Sequence, residues 1–341
     1  MTFQFQKKYK MNKLIILFLL LTSKTFAQEF TIKFATLAPE GSTWMNVMKE
    51  FDAQIRKETN GRVGFKMYAG GVQGDEKDVL RKVRLGQLHA AGITGVGIGE
   101  ISKKVRILDS PFLFKNYDEV DSVRNKFDAT FRKEFEDNGF VLLGFAEVGF
   151  VYTLTNTQVS SPSDLKNVKM WIWEGDPIAE AMFTTLGIHP IPLSITDVLT
   201  SLQTKLIDGV YTSPLAGVAL QWFTRTKYML DLPLADAQGA IVLSKKQFDK
   251  IPQDLQQILL RNGKTYFEKL TKLSREDNVK SIETLKKNGI QLVSVDKKSL
   301  SEYDEIGKKA RRSLVGKLYD ETLLNEVEKE VSSLRSKKSS K

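Results

Sequence analysis

Strand and helix patterns alternate along this chain, and no other feature of the sequence restricts its fold as strongly. Alternating or short apolar stretches predict strands, and apolar residues at helical spacing predict helices between them. In the first half of the chain the predicted strands are 30–36, 63–69, 90–94 and 105–108, and the predicted helices are 44–59 and 75–85. This order favours a mostly parallel sheet with helices on both faces.

The alternation repeats in the second half of the chain. The predicted strands there are 141–145, 150–156, 168–173 and 207–211, with helices beginning at Pro177 and near residue 197. Sheets of this kind bind ligands outside the carboxyl ends of their strands. The loops at 36–44, 70–75 and 94–99 are therefore expected to line a binding site. A long helical pattern from Pro252 to about Asn288 could bridge two domains.

The N-terminus has the pattern of a secretory signal. Four lysines precede the apolar stretch 14–21, and small and polar residues then lead to Ala27. Eight apolar residues are too few to span a bilayer, which takes about 20 residues. We expect cleavage after Ala27 and a periplasmic protein, with Met1 or Met11 as its start. An uncleaved anchor is the alternative, and a lipoprotein is excluded because the chain has no cysteine.

The charge of the chain argues against nucleic-acid binding. The formal net charge is +10, but residues 1–27 hold five lysines and no acid, so the mature chain has +5. Four more basic residues lie in the last ten positions, again without an acid, and the remaining body has +1. Nucleic-acid binding requires a strongly basic face. We expect no nucleic-acid partner.

Several residue types and motifs that enzymes need are scarce. The chain has two histidines and no cysteine, so zinc binding, thiol chemistry and histidine acid–base catalysis are poorly supplied. Gly95-Val-Gly-Ile-Gly99 does not match a dinucleotide-binding fingerprint, and its predicted state is a flexible strand-to-helix loop lining a cleft. No nucleophile-elbow motif is present. We expect neither catalysis, nor a cofactor, nor a metal.

Several motifs, in order along residues 30–266, resemble those of one transporter family. They are Gly70-Gly-Val-Gln-Gly-Asp-Glu76, Asp164-Leu-Lys-Asn-Val-Lys-Met170, Leu186-Gly-Ile-His-Pro-Ile-Pro-Leu193 and Ser244-Lys-Lys-Gln-Phe-Asp-Lys-Ile-Pro252. Together they resemble the substrate-binding subunits of TRAP (tripartite ATP-independent periplasmic) transporters, DctP type. The resemblance implies capture of a small organic acid and delivery to membrane subunits driven by an ion gradient.

The resemblance also implies the architecture. It predicts an α/β, two-domain periplasmic-binding-protein (type II) fold with a hinge and a long helix spanning both domains. With the patterns above, domain I is expected at 28–149 plus about 240–280, and domain II at 150–239 plus about 281–332. The ends are expected to be a signal peptide at 1–27 and a basic disordered tail at 333–341.

Four positions depart from the family pattern. Where the family normally has an arginine that pairs with the ligand carboxylate, this chain has Trp171; Val151 stands at a second, often basic position; Thr212 and Ser213 stand where asparagines are frequent. Arginine offers a fork of donors to a carboxylate, whereas tryptophan offers one N–H and an apolar face. We therefore predict a more apolar ligand than the usual acids, or else a cation over Trp171 or Trp173. An acid held by a different cation is a further alternative.

Trp171 and Trp173 are the leading candidates for ligand contact, since their strand end faces the expected site. Both could instead be core residues, because residues two apart share one face of a strand. Weaker candidates, on loops or strand ends, are Trp44, Gln73, Phe150, Tyr211 and Gln238. The expected partners are a small molecule and TRAP membrane subunits, and a helical-repeat periplasmic protein is also associated with family members that lack the arginine. A signalling role for the same fold stays open.

Overall fold

A computed structural model describes residues 29–339 of the chain. Its strands are β1 (Phe30–Thr36), β2 (Val63–Tyr68), β3 (Ala90–Thr94), β4 (Phe140–Phe145), β5 (Gly149–Thr155), β6 (Trp171–Trp173), β7 (Ile191–Leu193), β8 (Gly209–Thr212), β9 (Tyr228–Leu230), β10 (Ala235–Ala237), β11 (Gly239–Ser244) and β12 (Gln291–Val293). Its α-helices are α1 (Thr43–Glu58), α2 (Glu76–Arg84), α3 (Gly95–Ile101), α4 (Tyr117–Asp137), α5 (Pro177–Leu186), α6 (Val198–Gln203), α7 (Pro214–Ala219), α8 (Lys245–Phe248), α9 (Gln253–Lys287), α10 (Lys297–Ser313) and α11 (Glu321–Ser339).

Domain I is built on a five-stranded sheet in the order β2-β1-β3-β11-β4. The first three strands are parallel, as the alternation of strands and helices predicts, whereas β11 runs antiparallel to both β3 and β4. Alternate residues of β1 face opposite sides of the sheet. Phe34 packs with Met48 and Phe51 of α1 on one face, while Ala35 belongs to a separate apolar core on the opposite face. Helices therefore cover both faces of the sheet.

Domain II contains the sheet β10-β5-β9-β12, with β8 also paired to β5, and the separate parallel pair β6-β7. A parallel bridge between Met170 and Gly209 brings β6 beside β8. As a result, the carboxyl ends of β6 and β8 lie close together. The helices α5 and α7 begin directly after these strands, each with a proline in its first turn.

Two neighbouring strand-to-strand segments are among the connections between the domains. Residues 146–148 lead from β4 to β5, and Gln238 leads from β10 to β11. Hydrogen bonds from the Ala146 amide to the Gly239 carbonyl (2.8 Å) and from the Val148 amide to the Ala237 carbonyl (2.9 Å) hold the two segments side by side. The 35-residue helix α9, about 52 Å long, packs on α1 and β4 in domain I and on α7 in domain II. The predicted two-domain α/β fold with a domain-spanning helix is confirmed.

The C-terminal region differs from the predicted division. Helix α10 packs on α5 of domain II, but Leu324 and Val327 of α11 are buried in the core of domain I. Helix α11 also extends to Ser339, within the segment predicted to be a disordered tail. Arg335 donates to the Glu119 carboxylate at 2.8 Å and to the Leu113 carbonyl at 2.7 Å. The helical spacing of apolar residues, together with this ion pair, keeps α11 on domain I.

Two shorter segments also differ from their predicted states. Residues 105–108 belong to a buried 3₁₀ helix, Lys104–Asp109, and are not a strand. The glycine-rich segment predicted as a flexible loop is helix α3. No helix of residues 29–339 combines the length and apolarity that crossing a membrane requires. The predicted signal segment lies outside the described residues.

Candidate functional site

A cavity of about 230 Å³ lies between the two domains. Domain I contributes the loop after β1, the first turn of α3 and the 3₁₀ helix Lys104–Asp109. Domain II contributes the carboxyl ends of β6 and β8 and the first turns of α5 and α7. Strand ends and helix starts from both domains thus meet at one place, as the topology predicts. Most of the cavity wall is apolar, and its aliphatic residues include Leu37, Val96, Val151, Ile178, Met182, Leu215, Leu220 and Leu234.

Aromatic side chains form the domain II wall. The Trp171 ring is stacked on the Tyr211 ring with centroids 4.9 Å apart, and the Trp222 ring packs edge-on at 5.3 Å. Trp171 is 1% exposed, and its indole N–H donates to the Leu193 carbonyl at 3.0 Å. Trp171 therefore lines the cavity as a closely packed wall residue whose single donor is already occupied within the protein.

Trp173 contacts the opposite domain. Its indole N–H donates to Oδ2 of Asp75 at 3.1 Å, and Asp75 is the N-cap of α2 in domain I. The same oxygen accepts the hydroxyl of Ser194 at 2.5 Å and the Ile195 amide at 3.3 Å. Three donors of domain II therefore converge on one carboxylate oxygen of domain I at the edge of the cavity.

A buried ion-pair network crosses the floor of the cleft. Arg106 of domain I donates from Nε to Asp109 at 2.6 Å and from Nη2 to Asp176 of domain II at 2.9 Å. Burial lowers the pKa of Arg106, but Asp176 and Asp109 outweigh this effect, so the guanidinium stays charged. Burial raises the pKa of Asp109 to about 6, against the opposing effect of Arg106. Among the described residues that line the cavity, Arg106 is the one basic side chain.

Glu76 is a second buried carboxyl group at the cavity. Oε1 accepts the Thr94 amide at 2.7 Å and the Thr94 hydroxyl at 2.8 Å, and Oε2 accepts the Gly97 amide at 2.7 Å. These bonds satisfy amides at the start of α3, whose own N-cap makes no side-chain bond. Glu76 thereby explains why the glycine-rich segment is a helix. Burial raises the pKa of Glu76 to about 7, although the hydrogen bonds from Gly97 and Thr94 lower it.

Seven of the ten residues predicted to contact ligand lie at the cavity: Trp44, Val151, Trp171, Trp173, Tyr211, Thr212 and Ser213. Gln73, Phe150 and Gln238 do not. Gln73 accepts from Lys82 through its carbonyl at 2.7 Å and its side chain at 3.2 Å. Phe150 is buried against Tyr117, with ring centroids 4.8 Å apart.

Gln238 lies behind the wall in the connecting segment. Its backbone amide donates to Asp109 at 2.7 Å, and its side-chain amide donates to Asp236. It therefore positions a carboxylate that pairs with Arg106.

The charged residues in and beside the cavity are those that the sequence patterns missed. In the sequence, Asp75 and Glu76 have the pattern of a helix N-terminus, and Asp176 stands directly before Pro177. In the structure, Asp75 and Asp176 are the N-caps of α2 and α5. The contacts of Asp75 and Asp176 across the cleft leave no local pattern, and neither do the bonds that Glu76 accepts from Thr94 and Gly97. Arg106 falls in a segment predicted as a strand, where alternation is too short to suggest a buried charge. Residues 29–339 contain no group of three or more carboxylate or histidine side chains arranged to hold a metal ion.

Two α/β domains joined by adjacent connecting segments, with a largely apolar cavity between them, define a binding protein that holds a small molecule in its cleft. The chain belongs to the bacterial extracellular solute-binding proteins of family 7, the DctP family, whose model matches residues 34–317. It is accordingly a solute-binding protein of the TRAP type and not an enzyme, and the family implies a periplasmic location.

Relatives and solved structures agree with this assignment. The chain is 26% identical over 272 residues to the 2,3-diketo-L-gulonate-binding periplasmic protein of Escherichia coli, covering 78% of this chain and 81% of that protein. It is 24% identical over 275 residues to the C4-dicarboxylate-binding periplasmic protein of Rhodobacter capsulatus, covering 80% and 82%. A TRAP solute-binding protein from Citrobacter koseri with bound D-glucuronate shares the fold with a TM-score of 0.80 at 21% identity, covering 87% of this chain and 98% of that chain.

Proposed function

We propose that this protein captures a compact, apolar or weakly polar solute without a carboxylate and delivers it to TRAP membrane subunits. The observation that supports this most strongly is the state of Arg106. Its guanidinium already pairs with Asp109 and Asp176, and both pairs are almost fully buried. A ligand carboxylate would have to displace one of them, share Arg106 with both through its remaining Nη1 donor, or be buried without a cation, which costs several kcal/mol.

The remaining charge on the cavity wall supports the same conclusion. Glu76, Asp109 and Asp176 are carboxyl groups, whereas Arg106 is one cation among the described lining residues. Asp109 and Asp176 outnumber Arg106, so an anionic ligand would meet repulsion from the excess negative charge, to which Glu76 adds as it ionises near pH 7. Trp171 stands, by the sequence resemblance, where relatives have an arginine, and it contributes an aromatic surface and no charge.

The cavity volume limits the size of the solute. A cavity of about 150 Å³ holds benzene, so by proportion about 230 Å³ suits a solute of roughly nine or ten non-hydrogen atoms. A long-chain lipid would exceed this volume. A small aromatic, alicyclic or branched compound would fit and would bury its surface against Trp171, Met182 and Leu220.

An organic acid held by Arg106 is the second candidate. Relatives are named for binding 2,3-diketo-L-gulonate and C4-dicarboxylates, and structures of the same fold contain D-glucuronate and orotic acid. Nη1 of Arg106 is buried and has no hydrogen-bond partner. If Asp176 moved away as the domains open, Arg106 could offer Nη1 and Nη2 to a ligand carboxylate.

Native mass spectrometry of the purified mature protein, followed by organic extraction of any co-purified compound, separates the two candidates. We expect an uncharged compound of the size given above, and no heat of binding when D-glucuronate or orotate is titrated. Recovery of a sugar acid or dicarboxylate would reject the proposal in favour of the acid. Delivery to membrane subunits is tested separately by uptake of the identified solute with and without this protein, and the predicted helical-repeat partner by co-purification.

A further inference from the structure

We infer that Asp75 is a latch residue that holds the two domains closed over the cavity without using any charge on the solute. Asp75 lies outside the cavity lining, half-buried at the start of α2. Asp75 acts on the closing of the two domains, and this action does not depend on which solute binds.

The geometry of the latch is asymmetric. Oδ2 of Asp75 accepts the three donors of domain II, namely the Trp173 indole, the Ser194 hydroxyl and the Ile195 amide. Oδ1 accepts the Glu76 amide of its own helix at 2.6 Å. One oxygen therefore fixes the carboxylate on domain I, and the other bonds domain II. Hydrogen bonds to an ionised acceptor are about twice as strong as neutral ones.

The latch works beside a second contact between the domains. Arg106 of domain I pairs with the carboxylate of Asp176 of domain II. Asp176 thereby takes the place that the carboxylate of an acidic ligand would otherwise occupy. Both bridges consist of protein groups alone. Closure of this protein therefore does not depend on a charged solute, and the closed form should be well populated in its absence.

Small-angle X-ray scattering of the ligand-free mature protein tests this inference. The wild-type protein should scatter as the closed structure does. Ser194→Ala and Trp173→Phe each remove one donor and keep the N-cap of α2, and each should increase the radius of gyration. Asp75→Ala removes the acceptor and should increase it further. Trp173 should also become accessible to an aqueous fluorescence quencher in Asp75→Ala.

The matched control is Asn116→Ala. Asn116 caps α4 by accepting the Glu119 amide at 3.2 Å, and it lies away from the cavity. Loss of this cap should lower the melting temperature and leave the scattering unchanged. The inference is overturned if ligand-free wild type scatters as an open form, or if Asp75→Ala scatters as wild type does. Because no solute is needed, neither result depends on the proposed ligand class.

Discussion

The indole ring of Trp171 and the phenol ring of Tyr211 are nearly parallel, 22° apart, at a centroid distance of 4.9 Å. This pair joins β6 to β8 and forms the wall of the cavity at the point where both strands end. Aromatic pairs of this kind contribute about 0.5–1.5 kcal/mol beyond the burial of their surface. Trp171 therefore stabilises domain II in addition to shaping the site.

Trp171→Ala should lower the free energy of unfolding by about 3–5 kcal/mol, because the side chain is 1% exposed and its removal leaves a void. Urea unfolding followed by circular dichroism measures the loss. Trp171→Phe keeps an aromatic ring and should lose less. A loss below about 1 kcal/mol for the alanine variant would mean that the wall repacks and that Trp171 is not a structural element.

Glu76 should make stability fall as the pH rises between about 4.5 and 7. Its pKa is near 7 in the folded protein against 4.5 for an ordinary glutamate, so the folded state retains a proton that the unfolded state has lost. The contribution to the free energy of unfolding is present below pH 4.5 and lost above pH 7, and amounts to about 3 kcal/mol.

The comparison of wild type with Glu76→Gln isolates this effect. Asp109 also has a raised pKa and contributes a change of the same sign in both proteins. Unfolding free energies from urea titrations at several pH values should therefore show a steeper decline for wild type than for Glu76→Gln. Equal slopes would contradict the raised pKa of Glu76.

Gly239→Ala should destabilise the connection between the domains. A Cβ atom at Gly239 would lie 2.3 Å from the Ala146 carbonyl oxygen and 2.5 Å from the Trp44 ring. Overpacking of this kind costs about 1–3 kcal/mol, and backbone on one side leaves little room to relax. Gly217 of α7 is the matched control, because a Cβ there meets ordinary contacts of 3.4 Å or more. Thermal unfolding should show a lower melting temperature for Gly239→Ala and no decrease for Gly217→Ala.

Asp176→Asn should give the protein some affinity for carboxylates. The substitution removes the charge that neutralises Arg106 across the cleft but keeps a residue able to cap α5. Calorimetric titration with D-glucuronate or orotate should detect binding by Asp176→Asn and none by wild type. Binding by wild type that is equally strong would show that Asp176 does not block Arg106, and would favour the organic-acid function.

The alternation of strand and helix patterns was sufficient to predict two α/β domains, and the unbroken helical pattern after Pro252 predicted α9. Both depend on local periodicity, which a single sequence shows directly. The helical state of Gly95–Ile101 could not be predicted in this way, since it depends on Glu76, a residue some twenty positions earlier. The position of α11 on domain I likewise depends on contacts with α4, such as the bond from Lys126 to Glu330, 204 residues apart in sequence.

The candidate site also combines features that local patterns predict with features that depend on contacts between distant residues. The sequence pattern predicted that Trp171, Trp173 and Tyr211 lie near the cleft, because strand ends in this topology converge there, and it left open that the tryptophans belong to the core. All three line the cavity. The bond from Trp173 to Asp75 and the pairing of Arg106 with Asp176 became visible in the folded structure alone. Hydrogen bonds and ion pairs between domains depend on distances of about 3 Å between residues that are 70 to 98 positions apart. No periodicity or motif encodes such a distance, so the charge state of the site is a property of the fold.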